Sequence, residues 1–257
     1  CWSAQAIPRR RWTCRGWREG VLRRLVTRRV SFLVSGGTGA GKTTMLAALL
    51  GLADPRERIL VVEDVRELAV GHPHVVHLEG RSPNVEGVGE VTMVTLLRQA
   101  LRMRPDRIVV GEVRGAEVRE LLAALNTGHE GGAGTVHANA AGDLVARLEA
   151  LGALAGMSLP AVHAQLASAV SVVVHMRRNG VGRCVDAIGV VMGVAGARPV
   201  VVPVLEHHGV GSRLGNSDGV GEVAWDASAA AGAAVVGCDR VAGRARLAAL
   251  VGSDVLP

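Results

Sequence analysis

This 257-residue chain has few cysteines, few aromatic residues and no long apolar run. Its four cysteines include no C-x-x-C pair, which excludes a zinc ribbon, a thioredoxin motif and a disulfide framework and is typical of a reducing compartment. No apolar stretch reaches the roughly 18 residues of a spanning helix, and no signal-peptide core follows the Arg-rich start. With 49% hydrophobic and 20% charged residues, the chain has the balance of a globular protein.

Lysine is almost absent, although Lys plus Arg number 29 and the formal net charge is +6. The only lysine is Lys42. Because arginine serves elsewhere as the general cation, we expect Lys42 at a place that needs a compact ammonium rather than a planar fork. Tyrosine is missing and Phe32 is the only phenylalanine. Outside Trp2, Trp12 and Trp17 of the Arg-rich start, the aromatic-basic surface on which nucleic acids stack is therefore lacking, and we expect no specific nucleic-acid partner.

Strand-like and helix-like segments alternate between residues 21 and 180. This alternation predicts an α/β fold with a mostly parallel sheet and helices on both faces. We leave residues 1–20 unassigned and expect them to be disordered or mis-started, because the chain begins with Cys rather than Met. Residues 181–257 form a Gly/Ala/Val-rich C-terminal region with candidate strands at 185–191 and 200–205. The predicted strands of the core are 30–34, 58–62, 75–78, 107–111, 134–138 and 171–176.

The strongest motif follows the first predicted strand. Residues 36–43 match G-x-x-x-x-G-K-[ST], with a strand before and a helix after. Glycines allow successive N–H groups to surround phosphate oxygens, and the following helix contributes its positive end. Lys42 is expected to reach the β- and γ-phosphates and the Thr43 hydroxyl to bind Mg²⁺. The sequence thus predicts a site for ATP and Mg²⁺, whose candidate binding residues are Gly36, Gly37, Thr38, Gly39, Ala40, Gly41, Lys42, Thr43 and Thr44.

Two further predicted strands end in carboxylates, Glu63 and Glu112. In open α/β sheets ligands bind at the carboxyl ends of the strands, so both side chains are expected beside the glycine loop. One carboxylate can hold the Mg²⁺ water shell and the other can polarise the attacking water. His129 and His137 bracket the strand 134–138, and we expect them to sense the γ-phosphate, although each alone is more often a structural histidine.

Four blocks in this order resemble the secretion ATPases of the type II/type IV superfamily, above all the TadA/CpaF branch of tight-adherence (Flp) pilus assembly. The resemblance implies a RecA-like P-loop motor domain over residues 21–180 and ATP hydrolysis. It also implies a cytoplasmic hexameric ring that docks on a platform protein at the inner face of the cell membrane. The blocks are VSGGTGAGKTT (34–44), RILVVEDVREL with HPHVVHLE (58–68, 72–79), LRMRPDRIVVGEVRG (101–115) and LNTGHEGGAGTVHAN (125–139).

The same resemblance assigns roles by position. It makes Glu63 the catalytic glutamate, Glu112 the Walker B acid, and His129 with His137 the histidine-box pair. Family proteins carry an N-terminal domain before the motor, whereas only residues 1–33 precede the first block here, so we expect a truncated motor that binds ATP and turns it over poorly. Candidates for charge compensation within or across subunits are Arg98, Arg102, Arg104 and Arg114.

Two alternatives stay open at this point. The first is a nucleic-acid translocase on the same core, against which the missing aromatic-basic channel argues. The second is a non-catalytic nucleotide-binding remnant. A small-molecule phosphotransferase is less favoured, because the sequence shows no lid or acceptor motif.

Overall fold

The computed structural model describes residues 16–179, 182–193, 196–206 and 240–256. Helices and strands alternate along the chain, as the sequence predicts. The elements are α1 Gly16–Thr27, β1 Phe32–Gly36, α2 Lys42–Leu50, β2 Ile59–Glu63, β3 Val75–Glu79, α3 Met93–Arg102, β4 Arg107–Val113, α4 Glu117–Asn126, β5 Ala133–His137, α5 Leu144–Leu154, α6 Leu159–Ala169, β6 Val172–Asn179, β7 Gly182–Met192, β8 Val200–Glu206, α7 Arg240–Val251 and a short 3-10 helix, Ser253–Val255.

The eight strands form one sheet in the order β3-β2-β4-β5-β1-β6-β7-β8. Neighbours from β3 to β6 run parallel, and β7 and β8 continue the sheet antiparallel. The expected mixed α/β fold with a mostly parallel sheet is confirmed. Because β1 is central, the loop that follows it lies in the middle of the carboxyl edge of the sheet.

Both faces of the sheet are covered by helices. Alternate residues of a strand point to opposite faces, so Phe32 and Val34 belong to one core and Leu33 to the other. Helices α1, α2 and α7 cover the first face, and α3, α4, α5 and α6 cover the second. Burial on both faces explains why β1 and β2 are almost continuously apolar rather than alternating.

The strands β7 and β8 belong to the same sheet as the parallel strands β1 to β6. The pairing of β6 with β7 runs from Val172↔Val190 to Asn179↔Gly182. Helix α7 packs on these strands, with Leu247 and Val251 fully buried. The expected division at residue 180 therefore does not coincide with a break in the described sheet, because the composition changes there while the strand pairing continues. Our expectations for residues 1–15 and for 207–239 lie outside the described residues.

Candidate functional site

The loop between β1 and α2 is shaped by glycines at positions where a side chain does not fit. A Cβ atom on Gly36 would overlap the carbonyl oxygen of Met176 on the neighbouring strand. Gly41, the N-cap residue of α2, has a φ of 92°, in the left-handed region that favours glycine. No side chain caps α2, and the first N–H groups of a helix have no intrahelical partner. The loop thus presents backbone donors and the positive end of α2 at one place.

Lys42 is folded back over this loop. Its Nζ donates a hydrogen bond to the carbonyl oxygen of Gly37 at 3.0 Å and lies 3.3 Å from Nε2 of His137. The residue is 7% exposed. Burial, the largest cause, lowers the pKa of Lys42, and Arg114 lowers it further, while Glu112 and Glu67 oppose the shift. The ammonium therefore lies in a partly desolvated position with carboxylates nearby but not bonded to it.

His137, Glu112 and Arg114 form a charged cluster next to Lys42. Oε1 of Glu112 lies 2.5 Å from Nε2 of His137, and its Oε2 pairs with the guanidinium of Arg114. Burial lowers the pKa of His137 first, and Lys42 lowers it further. The structure thus brings His137 at the end of β5 next to Glu112 and Arg114, which lie at the end of the adjacent strand β4.

The turn that carries Arg114 is fixed by a buried acid. Oε1 of Glu117 accepts hydrogen bonds from the backbone N–H groups of Arg114 and Gly115, at 2.5 and 2.8 Å. The strand β4 runs on to Val113, two residues beyond the predicted end, so Glu112 lies within the strand and not after it. This turn holds the Arg114 backbone in place beside Glu112.

Glu63 lies at the end of β2, one strand further from β1 than Glu112. Its Oε1 accepts hydrogen bonds from the backbone N–H groups of Glu67 and Leu68 at 3.1 and 2.9 Å, and its Oε2 is 3.6 Å from Nδ1 of His77. The residue is 4% exposed. One carboxylate oxygen is therefore occupied by its own loop. The negative charge of the exposed Glu67 in that loop acts to raise the pKa of Lys42. The sequence analysis did not single out this neighbour.

His129 lies apart from this group. It precedes β5, whereas His137 ends it, and parallel strands place those two ends at opposite edges of the sheet. Nδ1 of His129 contacts the carbonyl oxygen of Ala124 at 3.2 Å. The expectation that both histidines face one phosphate finds no geometric support within a single chain. The physical reason is that residues at the two ends of a strand are separated by about 3.3 Å per residue.

Among the four candidate arginines, only Arg114 reaches the cluster. Arg98 pairs with Glu120 at 2.7 Å between α3 and α4. Arg102 ends α3, and Arg104 follows it with a φ of 51°. Arg183, which the sequence analysis did not consider, donates from Nε to the carbonyl oxygen of Gly39 at 3.0 Å. Only strand pairing could have revealed it, since it comes from the antiparallel strand β7.

The remaining loop residues differ in exposure. Gly37, Thr38 and Gly39 are exposed, Ala40 is buried, Thr43 is half-buried and Thr44 is exposed. Beneath the loop, the hydroxyl of Ser35 is 2.9 Å from Nδ1 of the buried His175 on β6. Across residues 16–179, 182–193, 196–206 and 240–256, no helix is long and apolar enough to cross a bilayer. The same ranges contain no cluster of three His, Cys, Asp or Glu side chains suited to a metal ion.

Fold and site define an α/β protein in which a glycine-rich loop, with a buried lysine, joins the central strand to a helix. The chain belongs to the family described as Type II/IV secretion system protein, whose model matches residues 16–251. This match includes β7, β8 and α7, in agreement with the continuous sheet.

Several curated proteins are similar to part of the chain. The Mycobacterium tuberculosis protein MT3759, a conjugal transfer protein by its name, is 67% identical over 159 residues, which are 62% of this chain and 45% of that protein. The conjugal transfer protein TrbB of Rhizobium radiobacter is 38% identical over 65% of this chain and 50% of its own length. The type IV secretion system protein PtlH of Bordetella pertussis is 43% identical over 51% and 40%. The chain therefore spans about half the length of these relatives.

Two solved structures are similar in fold. The VirB11 ATPase of the Brucella suis type IV secretion system, in complex with sulphate, superposes with a TM-score of 0.58 and 32% identity over 65% of this chain and 51% of that one. The pilus retraction motor PilT, with bound ADP, gives a TM-score of 0.53 and 29% identity over 69% and 51%. These structures share the α/β architecture described above.

Proposed function

We propose that this chain is the ATP-hydrolysing motor core of a type II/IV secretion or pilus assembly system. The observation that carries the proposal is the buried ammonium of Lys42, which lies on the glycine loop beside the His137–Glu112–Arg114 cluster. Family membership supports it. So do the two similar structures, one of an ATPase in complex with sulphate and the other of a pilus retraction motor with bound ADP.

In this proposal Lys42 exchanges its bond to Gly37 for the phosphates of ATP. The N–H groups at the start of α2 and the exposed loop glycines surround the same oxygens. The half-buried Thr43 and the nearby Glu112 are suited by their oxygens to hold Mg²⁺ directly or through water. When bound, Mg²⁺ supplies charge neutralisation for the phosphates. Arg114 keeps Glu112 in place, and His137 stays neutral because its pKa is lowered.

Glu63 is the proposed base. The two backbone N–H groups that bind its Oε1 fix the carboxylate, so its Oε2 is left to orient and polarise water. The role of His129 stays a prediction of the resemblance, because the geometry of one chain gives it no part in this step.

The finer proposal is membership of the TadA/CpaF branch. It rests on the four sequence blocks and carries with it a homohexameric ring, a cytoplasmic location at the membrane and a platform protein as partner. Two relatives are named for conjugal transfer, which keeps a nucleic-acid translocase as a second candidate. Stimulation of ATP hydrolysis by added DNA would favour that second candidate over a pilus motor.

The proposal is tested with Lys42→Ala. Removal of a positioned cation is expected to lower turnover of ATP by roughly 100- to 1,000-fold or more. The matched control is Arg119→Ala, which removes an exposed cation on α4. ATP hydrolysis and oligomer size are measured together for wild type and both variants. Turnover that is unchanged in Lys42→Ala would overturn the assignment, and a wild type that binds ATP without hydrolysing it would favour the non-catalytic remnant.

A further inference from the structure

The hairpin between β6 and β7 extends past the central strand, next to the glycine loop. Gly36, the last residue of β1, pairs with Met176 of β6. Strand β6 continues to Asn179, and β7 returns from Gly182, so both extend beyond the end of β1 on the side where the loop begins. This overhang brings side chains of a distant part of the sequence to the loop.

Two arginines of the hairpin meet the same loop residue, Gly39. Arg183 on β7 donates from Nε to its carbonyl oxygen at 3.0 Å. A terminal nitrogen of Arg178 on β6 lies 3.7 Å from the point where a Cβ atom on Gly39 would stand. Gly39 is exposed and has a φ of 70°, so its backbone is open on this side. Both guanidinium groups therefore border the loop at Gly39, whereas Lys42 binds it at Gly37.

The charges of these two arginines are not balanced within the part of the chain that the structure describes. Arg178 and Arg183 are directly opposite each other in the antiparallel register. Like charges in such a cross-strand pair destabilise the sheet. The adjacent Arg177 pairs with Asp186 at 2.7 Å, yet no described carboxylate lies within 4 Å of Arg178 or Arg183. Together with Lys42, three cations therefore lie beside the loop, at Gly37 and Gly39.

A polyanion at the loop would relieve this repulsion. Arginine binds phosphate oxygens through two parallel N–H donors, which a lysine cannot do. Arg183 uses only Nε on the loop itself, so the rest of its fork has no partner among the described residues. Two like charges that meet at one glycine are unfavourable unless an anion binds between them. The arrangement is suited to bind a di- or triphosphate.

We propose that Arg178 and Arg183 are nucleotide-binding residues. They contact the phosphate chain from the side of Gly39, while Lys42 contacts it from the side of Gly37. The inference rests on the proposed function and adds these two arginines to the cations of that site. It also predicts recognition of the phosphates rather than of the base, since the contacts converge on the phosphate loop.

The test uses Arg178→Gln, Arg183→Gln and the double variant, with Arg177→Gln as the matched control on the same hairpin. The measured quantities are the affinity for a fluorescent ATP analogue and its competition by inorganic triphosphate. Each single variant is expected to weaken both by about 10-fold or more, since a hydrogen bond to a charged group is lost. Arg177→Gln is expected to stay within about 2-fold of wild type, because Asp186 already neutralises that arginine.

Two results would overturn the inference. One is wild-type affinity in the double variant while Lys42→Ala loses binding, which would leave the proposed function intact. The other is weakened ATP binding with unchanged competition by inorganic triphosphate, which would show base recognition. Wild-type protein that binds no nucleotide would overturn the proposed function and this inference together. Unfolding midpoints of all variants, and partial rescue by Arg183→Lys, separate lost contacts from lost folding.

Discussion

The two edges of the sheet use arginine in opposite ways. At the amino edge, Arg107 begins β4 and is only 1% exposed. It forms an ion pair through Nε and Nη2 with the carboxylate of Glu57, and donates to the carbonyl oxygens of Gly131 and Val26 at 3.1 and 2.8 Å. This one side chain joins β4, the loop before β5 and the end of α1, and its hydrogen-bonding capacity is used within the chain.

At the carboxyl edge Arg114 also pairs with an acid, Glu112, but Lys42 and Arg183 are bonded to the loop instead. Lys42 donates to Gly37 and Arg183 to Gly39, both through backbone carbonyl oxygens. Such contacts leave the positive charge uncompensated, whereas Arg107 is neutralised by Glu57. The comparison teaches that an arginine-rich composition says nothing about function by itself. Whether a cation is structural or ligand-binding depends on whether the chain already supplies its anion.

The largest effect that would break this comparison is expected for Arg107→Ala. The change leaves Glu57, whose side chain is 12% exposed, with the longer contact of 3.6 Å to Arg29 as its ion pair. It also removes a donor from the buried carbonyl oxygens of Gly131 and Val26. Breaking a buried pair in this way costs about 3–5 kcal/mol of unfolding free energy. Urea unfolding measures the loss. The control is Arg98→Ala, whose side chain is 64% exposed and paired with Glu120, for which about 0–1 kcal/mol is expected. Equal costs for the two variants would contradict the contrast between the edges.

The strands of the sheet could be predicted from the sequence to within a few residues, whereas helix α7 was not predicted. Helix α2 follows the glycine motif as predicted, and it begins after Gly41 and ends before Gly51. Thr92, a residue type that favours helix N-termini, caps α3, since its side chain accepts a hydrogen bond from the N–H of Thr95. The apolar runs of β1, β2 and β4 identify buried parallel strands without further information. These signals are local, so one sequence suffices.

The candidate site could be predicted only in part. The glycine loop and Lys42 are contiguous in sequence, and Glu112 and His137 end adjacent strands, so the pattern alone places them at one edge. The contacts of Arg178 and Arg183 depend on how far the β6–β7 hairpin extends past β1, which no local pattern encodes. The location of His129 depends on the direction of β5, because His129 precedes this strand and His137 ends it. The prediction that both histidines sense one phosphate did not take this direction into account.

A smaller effect is expected for Gly111→Ala, which tests whether the carboxyl edge needs Glu63 where it is. The added Cβ would stand 2.5 Å from Cγ of Glu63 and 2.9 Å from its Oε1. Glu63 must then leave the N–H groups of Glu67 and Leu68. Overpacking of this kind costs about 1–3 kcal/mol. ATP turnover is expected to fall more than the affinity for nucleotide, since Glu63 is the proposed base and not a phosphate ligand.

Gly142→Ala is the control for that variant, because Gly142 is exposed and nothing lies within 4 Å of its added Cβ. Both substitutions add one methyl group, so a difference in turnover or stability between the two variants reports the surroundings of the added group. If Gly111→Ala kept wild-type turnover, Glu63 would not need its present position, and its assignment as the base would be lost.

The smallest effect is expected from pH, through the buried His175 beneath the loop. Burial lowers its pKa below the ordinary value of about 6.5, although Asp186 opposes the shift. The unfolded chain then binds more protons than the native one in this range, so stability rises with pH. The contribution of His175 to the free energy of unfolding is complete above the pKa of the unfolded chain. This contribution falls as the pH drops below about 6.5 towards the pKa of the native state. Urea midpoints between about pH 5 and 8 measure this dependence.

His175→Gln should flatten that profile in part, because His137 shares the direction of shift and remains. The exposed His74 supplies the control, since His74→Gln removes a histidine without removing a buried one. A profile that is equally steep in both variants would mean that protonation of His175 is not coupled to unfolding. A flatter profile for His175→Gln alone would show that the carboxyl edge contains a neutral side chain whose protonation weakens the support of the loop, as the bond between Ser35 and His175 implies.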